Sequence, residues 1–173
     1  MKKLFLALIL ISVAISQVRP VRGIITAKNR PDSREIKIQG MIDQLARVEN
    51  SDKIAASINK ASKKYRIEPE VLVALLMVES TFNQDATSST GDIGIGQVNP
   101  LWKKEFKNRH LGDLDLNRLK QDQDYNIQIT AQILSLCKKG GYKNYYGVYH
   151  SKTSSLRKKY TARVKKYMVA INN

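Results

Sequence analysis

The strongest constraint on the fold of this chain is an unbroken apolar segment, residues 71–78, which ends directly at Glu79. In a helix this segment would be apolar on every face, and such a helix is buried on all sides. It is far shorter than the roughly 20 apolar residues of a membrane-spanning helix. Pro69 suits the first turn of a helix, where its missing N–H costs nothing. The segment therefore predicts a central helix that other elements enclose.

Apolar residues at spacings of three and four predict further helices on both sides of this segment. No run of alternating polarity is long enough to predict a strand with the same clarity. The predicted helices lie at residues 33–49 with Asp32 or Ser33 as the cap, from Asp52 onward, at 122–139, at 142–150 and at 156–171, with a short element after Leu101 and a loop or broken helix at 111–119. We therefore predict an all-α fold.

Residues 1–16 carry the pattern of a secretory signal peptide. Two lysines precede an apolar run, and small residues end it at Ala14 and Ser16, which predicts cleavage after Ser16. The alternative is a retained membrane anchor, but the run is shorter than a membrane span requires. We expect a periplasmic or secreted protein without a stable membrane span.

The length of 173 residues suits one domain. We predict a partly helical N-terminal extension at residues 17–50 and a compact domain at 51–173, after the signal peptide. Cys137 is the single cysteine, which excludes an intramolecular disulfide framework, and we expect it to be a buried apolar residue. With only two histidines as well, we expect neither a metal nor a cofactor.

Glu79 stands between the apolar segment and a loop rich in glycine, and two interpretations are open. A glutamate at a helix end usually turns to solvent. If Glu79 instead faces a groove formed by the loop, burial raises its pKa and lets it donate a proton near neutral pH. Glycines at 91, 94 and 96 would let a substrate approach the backbone. Gln97 offers an amide donor and acceptor suited to sugar hydroxyl and N-acetyl groups.

The combination of these residues resembles the soluble lytic transglycosylase family. The resemblance covers about residues 52–168, and the matching motifs are Glu79-Ser80-Thr81-Phe82-Asn83, Gly91-Asp92-Ile93-Gly94-Ile95-Gly96-Gln97-Val98-Asn99-Pro100, Asn126-Ile127 and Tyr149-His150-Ser151. It implies a lysozyme-like α-helical catalytic domain over residues 51–173. The size of the chain is most similar to small members that serve secretion or conjugation apparatus, or phage entry.

The resemblance also implies a mechanism that needs only one carboxyl group. Glu79 would protonate the β-1,4 bond between N-acetylmuramic acid and N-acetylglucosamine, and would then take the proton of the C6 hydroxyl while a 1,6-anhydro ring closes. Tyr149 would orient Glu79 by a hydrogen bond, and Gln97 would hold the sugar. Ser80 would either bind the muramic acid substituents or brace the helix end. Acidic residues of the loop, Asp85 and Asp92, are assigned to turns.

The sequence departs from the family pattern in three places. The common Gly-Leu-Met-Gln is Gly94-Ile95-Gly96-Gln97 here, so a methionine expected to pack against a sugar is missing. The Tyr-Asn-Ala-Gly stretch is Tyr149-His150-Ser151-Lys152, and residues 17–50 have no counterpart that we can assign. Two other functions therefore stay open: a lysozyme-type peptidoglycan hydrolase, or a non-catalytic wall-binding scaffold.

The chain is strongly basic, with a formal net charge of +15, and no Asp or Glu follows Asp124. The basic C-terminal segment has three interpretations: a solubilising surface, attraction to the carboxylates of peptidoglycan, or nucleic-acid binding through interleaved Lys, Arg and Tyr. The signal peptide argues against the third. We expect peptidoglycan glycan strands as the partner, with a secretion or conjugation apparatus as a further candidate.

Overall fold

The computed structural model describes residues 32–173. The predicted signal peptide at residues 1–16, its cleavage site after Ser16, and residues 17–31 lie outside the described residues.

The described part of the chain is helical, as predicted. Its helices are α1 Ser33–Leu45, α2 Ser51–Tyr65, α3 Pro69–Ser80, α4 Trp102–Asn108, α5 Leu116–Gln121, α6 Gln123–Lys139, α7 Tyr145–His150 and α8 Ser154–Ala170. Within residues 32–173, β-type pairing is limited to two isolated bridges, Thr87 with Ile93 and Ile93 with Val98. The all-α prediction is therefore confirmed for this part of the chain.

Three of the described helices begin at an aspartate cap, and the first of these caps, Asp32, is one of the two residues that the sequence predicts. The side chains of Asp32, Asp115 and Asp122 each accept a hydrogen bond from an N–H in the first turn of α1, α5 and α6. Several bounds differ from the sequence prediction, most clearly those of α1 and α7. The helix α1 ends at Leu45 because Ala46 is extended, and α7 begins at Tyr145, three residues later than predicted.

The apolar helix α3 lies at the centre, as its sequence requires. Its side chains from Val71 to Leu76 are buried, and α1, α2 and α8 pack around it. The helix ends where Thr81 and Phe82 both adopt left-handed backbone conformations, with φ of 54° and 62°. Non-glycine residues rarely adopt this conformation, least of all a β-branched one. The turn is closed by the N–H of Phe82, which donates to the carbonyl of Leu76 at 3.5 Å.

The helix α1 belongs to the same apolar core as the later helices. Ile38, Met41 and Ile42 are buried against α2 and α3. The Asp32 carboxylate also accepts hydrogen bonds from Asn59 at 3.0 Å and Lys63 at 2.9 Å on α2. This part of the predicted N-terminal extension is thus integral to the core. Cys137 is buried on α6, as predicted, and burial raises the pKa of its thiol to about 11.

Among residues 32–173, no helix combines the length and the apolar character that crossing a bilayer would demand.

We expect Ile42→Ala to lower the free energy of unfolding by about 2–5 kcal/mol, the usual cost of emptying a buried isoleucine site. The matched control is Ile36→Ala on the same helix, because the Ile36 side chain is 58% exposed. That control should change stability by less than about 0.5 kcal/mol. Urea unfolding of the two variants measures both values, and equal effects would contradict the placement of α1 in the core.

Candidate active site

Glu79 lies in the last turn of α3, and α8 covers it. The hydroxyl of Tyr160, on α8, donates a hydrogen bond to Glu79 Oε1 at 2.5 Å. Arg163, one turn further along α8, donates from Nη2 to the carbonyl of Val78 at 3.3 Å. The Glu79 carboxyl is therefore held between two helices that are far apart in sequence, and it does not turn freely into solvent.

Burial raises the pKa of Glu79 from its ordinary value of about 4.5 to about 7. The hydrogen bond from Tyr160 lowers the pKa, the negative charge of Asp92 raises it, and Arg163 lowers it, but burial dominates. Near neutral pH the carboxyl group is thus poised between its acid and its base form. A group with this pKa can both donate and accept a proton during one reaction.

The hydrogen-bond partner of Glu79 differs from the sequence prediction. We predicted Tyr149, but its hydroxyl donates to the carbonyl of Gly96 at 2.6 Å, and Tyr160 occupies the place beside Glu79. Tyr160 lies 81 residues from Glu79 and stands among the basic residues of α8 without any local motif. Sequence reasoning missed it because only the packing of α8 on α3 brings the two side chains together.

The loop after α3 is folded back on itself by backbone and side-chain hydrogen bonds. Gln97 has a left-handed backbone with φ of 48°, and its Nε2 donates to the carbonyls of Ala86 at 3.1 Å and Gly94 at 2.8 Å. The amide donor of Gln97 is therefore occupied inside the loop. Its Oε1 accepts no hydrogen bond from residues 32–173 and is left for another partner.

Ser80 joins the end of α3 to this loop. Its hydroxyl donates to the carbonyl of Ile95 at 2.7 Å. The geometry matches the second of the two roles considered for Ser80, that of a brace at the helix end.

Gly96 faces helix α6 rather than an open groove. Its N–H donates to Asn126 Oδ1 at 3.0 Å, and a Cβ added to Gly96 would overlap Thr130 Oγ1. No side chain fits there unless Thr130 moves. A methionine at this position could not pack against a sugar in this chain, so its absence removes no contact from the groove.

Asp92 serves the structure of the loop, as predicted. Asp92 accepts hydrogen bonds from Ser88 at 2.9 Å, Thr90 at 2.8 Å and Asn99 at 2.6 Å. Asp85 is exposed, and its N–H donates to Asn83 Oδ1. The loop therefore supplies no second carboxyl group that resembles Glu79 in its surroundings.

A large cleft of about 1190 Å³ adjoins this site. Glu79 itself is not among the lining residues, but Asn99, Tyr149 and His150 are. The His150 ring stacks on Tyr160 with centroids 4.4 Å apart, and Tyr160 in turn holds Glu79. The cleft is therefore connected to the Glu79 carboxyl group through His150 and Tyr160. Trp102 also lines the cleft and packs partly against the core.

Comparison with known proteins supports the resemblance seen in the sequence. The profile of the family described as the transglycosylase SLT domain matches residues 56–165. Among solved structures, an inactive Glu-to-Gln mutant of the lytic transglycosylase Slt from Pseudomonas aeruginosa has a TM-score of 0.58 and 21% sequence identity. The match covers 68% of this chain and 23% of that one, so this chain spans less than a quarter of its length. The likeness confirms the predicted lysozyme-like fold.

The raised pKa predicts that Glu79 destabilises the folded protein at high pH. A carboxyl group whose pKa is about 7 when folded and about 4.5 when unfolded lowers stability as pH rises between these values, by about 3 kcal/mol in total. Glu79→Gln cannot ionise, so it should match the wild type near pH 4 and be more stable by about 3 kcal/mol at pH 8.5. Thermal unfolding at both pH values measures this difference. If the variant and the wild type differed in stability by the same amount at both pH values, the raised pKa would be contradicted.

Proposed function

The chain belongs to the transglycosylase SLT domain family, and on that basis we propose that it is a peptidoglycan lytic transglycosylase. It cleaves the β-1,4 bond between N-acetylmuramic acid and N-acetylglucosamine and leaves a 1,6-anhydro end on the muramic acid. The observation that carries this proposal is the largely enclosed Glu79 carboxyl beneath Tyr160, whose pKa of about 7 suits an acid that must also act as a base.

The reaction proceeds in two proton transfers. Protonated Glu79 donates its proton to the glycosidic oxygen while the bond between that oxygen and the anomeric carbon of muramic acid breaks. The ionised carboxylate then removes the proton of the C6 hydroxyl, whose oxygen bonds to the anomeric carbon. The enzyme ends in its starting protonation state. Because the nucleophile belongs to the substrate, no water has to be positioned, and much of the entropy of orientation is already spent.

Tyr160 is the positioning residue for both transfers. Its hydroxyl donates to Glu79 Oε1 at 2.5 Å, which holds that oxygen in place and leaves Oε2 to exchange the proton. The loop offers no second carboxyl group in similar surroundings, and this favours ring closure within the substrate over hydrolysis by a two-carboxylate mechanism.

The remaining predicted site residues, Ser80, Gln97 and Tyr149, are proposed to bind substrate through the loop. Ser80 and Tyr149 anchor the carbonyls of Ile95 and Gly96, which are both buried, and so hold in place the loop that carries Gln97. Gln97 Oε1 is available to accept from a sugar hydroxyl or an acetamido N–H. The roles of these side chains are thus mainly to hold a rigid surface for the glycan strand.

We further propose that the protein works in the periplasm or outside the cell, after cleavage near Ser16, in local remodelling of the wall beside a secretion or conjugation apparatus. The signal-peptide pattern and the location of peptidoglycan support this placement.

We expect Glu79→Gln to reduce the release of muropeptides from purified peptidoglycan by about 10²–10⁴-fold, which is the typical contribution of general acid–base catalysis. Mass spectrometry of the wild-type products should show anhydro ends. Reducing ends would identify a lysozyme-type hydrolase, and an absence of fragments would identify a wall-binding scaffold. Wild-type turnover in the variant would remove Glu79 from the mechanism, and its thermal stability excludes misfolding as the cause of any loss.

Changing each of the two tyrosines, Tyr149 and Tyr160, to phenylalanine should affect different kinetic constants. Tyr160→Phe should lower kcat by about 10-fold, typical of a lost hydrogen bond to a charged group. It should also move the alkaline limb of the kcat–pH profile to higher pH, because that hydrogen bond lowers the pKa of Glu79. Tyr149→Phe should mainly raise KM and leave the limb in place. The opposite pattern would restore Tyr149 as the partner of Glu79.

A further inference from the structure

We propose that His150 is a second positioning residue of the active site, which keeps the Tyr160 ring in the orientation that directs its hydroxyl at Glu79. This inference rests on the proposed function, because it names a further residue on which proton transfer by Glu79 depends.

The rings of His150 and Tyr160 form a parallel stack. Their centroids are 4.4 Å apart and their planes are inclined by 5°. The Tyr160 hydroxyl lies at the far end of its side chain and donates to Glu79 Oε1 at 2.5 Å. A small swing of the ring about the Cα–Cβ bond would therefore move the hydroxyl away from the carboxyl oxygen. An imidazole packed flat against one face of the ring opposes this swing.

The close approach of α7 to α8 builds this stack. Gly147 and His150 are three residues apart on α7, so they share one face of that helix. A Cβ added to Gly147 would overlap Thr161 Oγ1, and Thr161 follows Tyr160 on α8. The absence of a side chain at position 147 thus lets α7 come near enough to α8 for His150 to reach the ring of Tyr160.

The stack is a contact between two uncharged rings above pH 7. Partial burial lowers the pKa of His150 below its ordinary value of 6.5, Arg163 on α8 lowers it further, and Asp92 in the loop raises it. Burial likewise keeps the phenol of Tyr160 protonated, because its pKa lies well above 10. Removing the imidazole above pH 7 therefore removes a ring contact and not a charge beside Glu79.

The stack belongs to this chain and does not follow from the family pattern. The second residue of the Tyr-Asn-Ala-Gly stretch is histidine here, and asparagine has no ring that could form the same contact. His150 is also exposed and lines the cleft, whereas Tyr160 is buried. A direct contact between His150 and the substrate would act on binding, while a positioning role acts on kcat and on the pKa of Glu79, so experiment can distinguish the two roles.

The test removes the stacked ring, keeps it, or changes an unrelated histidine. His150→Ala removes the ring, and His150→Phe keeps an aromatic ring at the same place. The matched control is His110→Asn, at the other histidine of the chain, which does not line the cleft. The backbone of His110 is left-handed with φ of 53°, and asparagine tolerates this conformation. The two His150 variants are also made in the Tyr160→Phe background.

His150→Ala should lower kcat by about two- to tenfold, the range that the energy of an aromatic pair corresponds to, and leave KM close to the wild-type value. The alkaline limb of its kcat–pH profile should move to higher pH, because the hydrogen bond from Tyr160 that lowers the pKa of Glu79 is weakened. His150→Phe should keep most of the wild-type kcat and the position of the limb. His110→Asn should match the wild type.

The double variants decide whether His150 acts through Tyr160. If it does, removing the imidazole has no further effect once the Tyr160 hydroxyl is gone, so His150→Ala should leave kcat unchanged in the Tyr160→Phe background. An equal fold-change in both backgrounds would overturn the proposal. A raised KM with unchanged kcat, the pattern of a substrate contact, would also overturn it, as would a His150→Phe variant as slow as His150→Ala.

A measurement without turnover keeps this inference separate from the proposed function. In protein labelled with ¹³C at the glutamate carboxyl groups, the Glu79 signal is identified by its loss in Glu79→Gln, and its titration gives the pKa of Glu79. His150→Ala should raise that pKa, and His150→Phe should not. This result decides the positioning role even if no anhydro product forms. An unchanged pKa in His150→Ala, in an enzyme that releases anhydro products and depends on Glu79, would overturn this inference and leave the proposed function in place.

Discussion

The carboxyl group of Glu79 is largely shielded from water at the end of α3, where a single tyrosine hydroxyl donates to it. Ionising it there costs about 3 kcal/mol relative to an exposed glutamate. The fold bears that cost because α3 is buried over most of its length and α8 closes over its end. The same burial sets the pKa near 7, so the property that destabilises the protein is the one that suits it for proton transfer.

The loop that follows α3 is held in place by hydrogen bonds from neighbouring elements. Its turns require left-handed backbone at Thr81, Phe82 and Gln97, which few side chains favour. Hydrogen bonds from neighbouring elements hold those turns in place: Asn126 binds the loop at Ile93 and Gly96, and Ser80 binds it at Ile95. The loop is thus backbone held by side chains of α3 and α6, and glycine at 96 is what lets α6 approach so closely.

The basic C-terminal segment is one feature in the sequence but several in the structure. Lys138 pairs with Glu68 at 2.7 Å, and Arg163 lies beside Glu79, so these two charges are committed to the fold and the site. Lys139 and Lys152 line the cleft, while many of the remaining cations lie exposed on α8. The basic residues of this segment therefore have different roles. One forms an ion pair within the fold, one affects the pKa of Glu79, and others form a positively charged surface.

The sequence alone determined the helical class, the buried helix α3, and the position of Glu79 between that helix and a glycine-rich loop. These depend on apolar spacing, capping and turn chemistry, which act over a few residues. Only the tertiary structure decided that Tyr160 holds Glu79, that Tyr149 binds Gly96 instead, and that position 96 faces Thr130. Each of these contacts joins helices or loops far apart in the chain, and their partners follow from how α6, α7 and α8 pack on α3 and its loop.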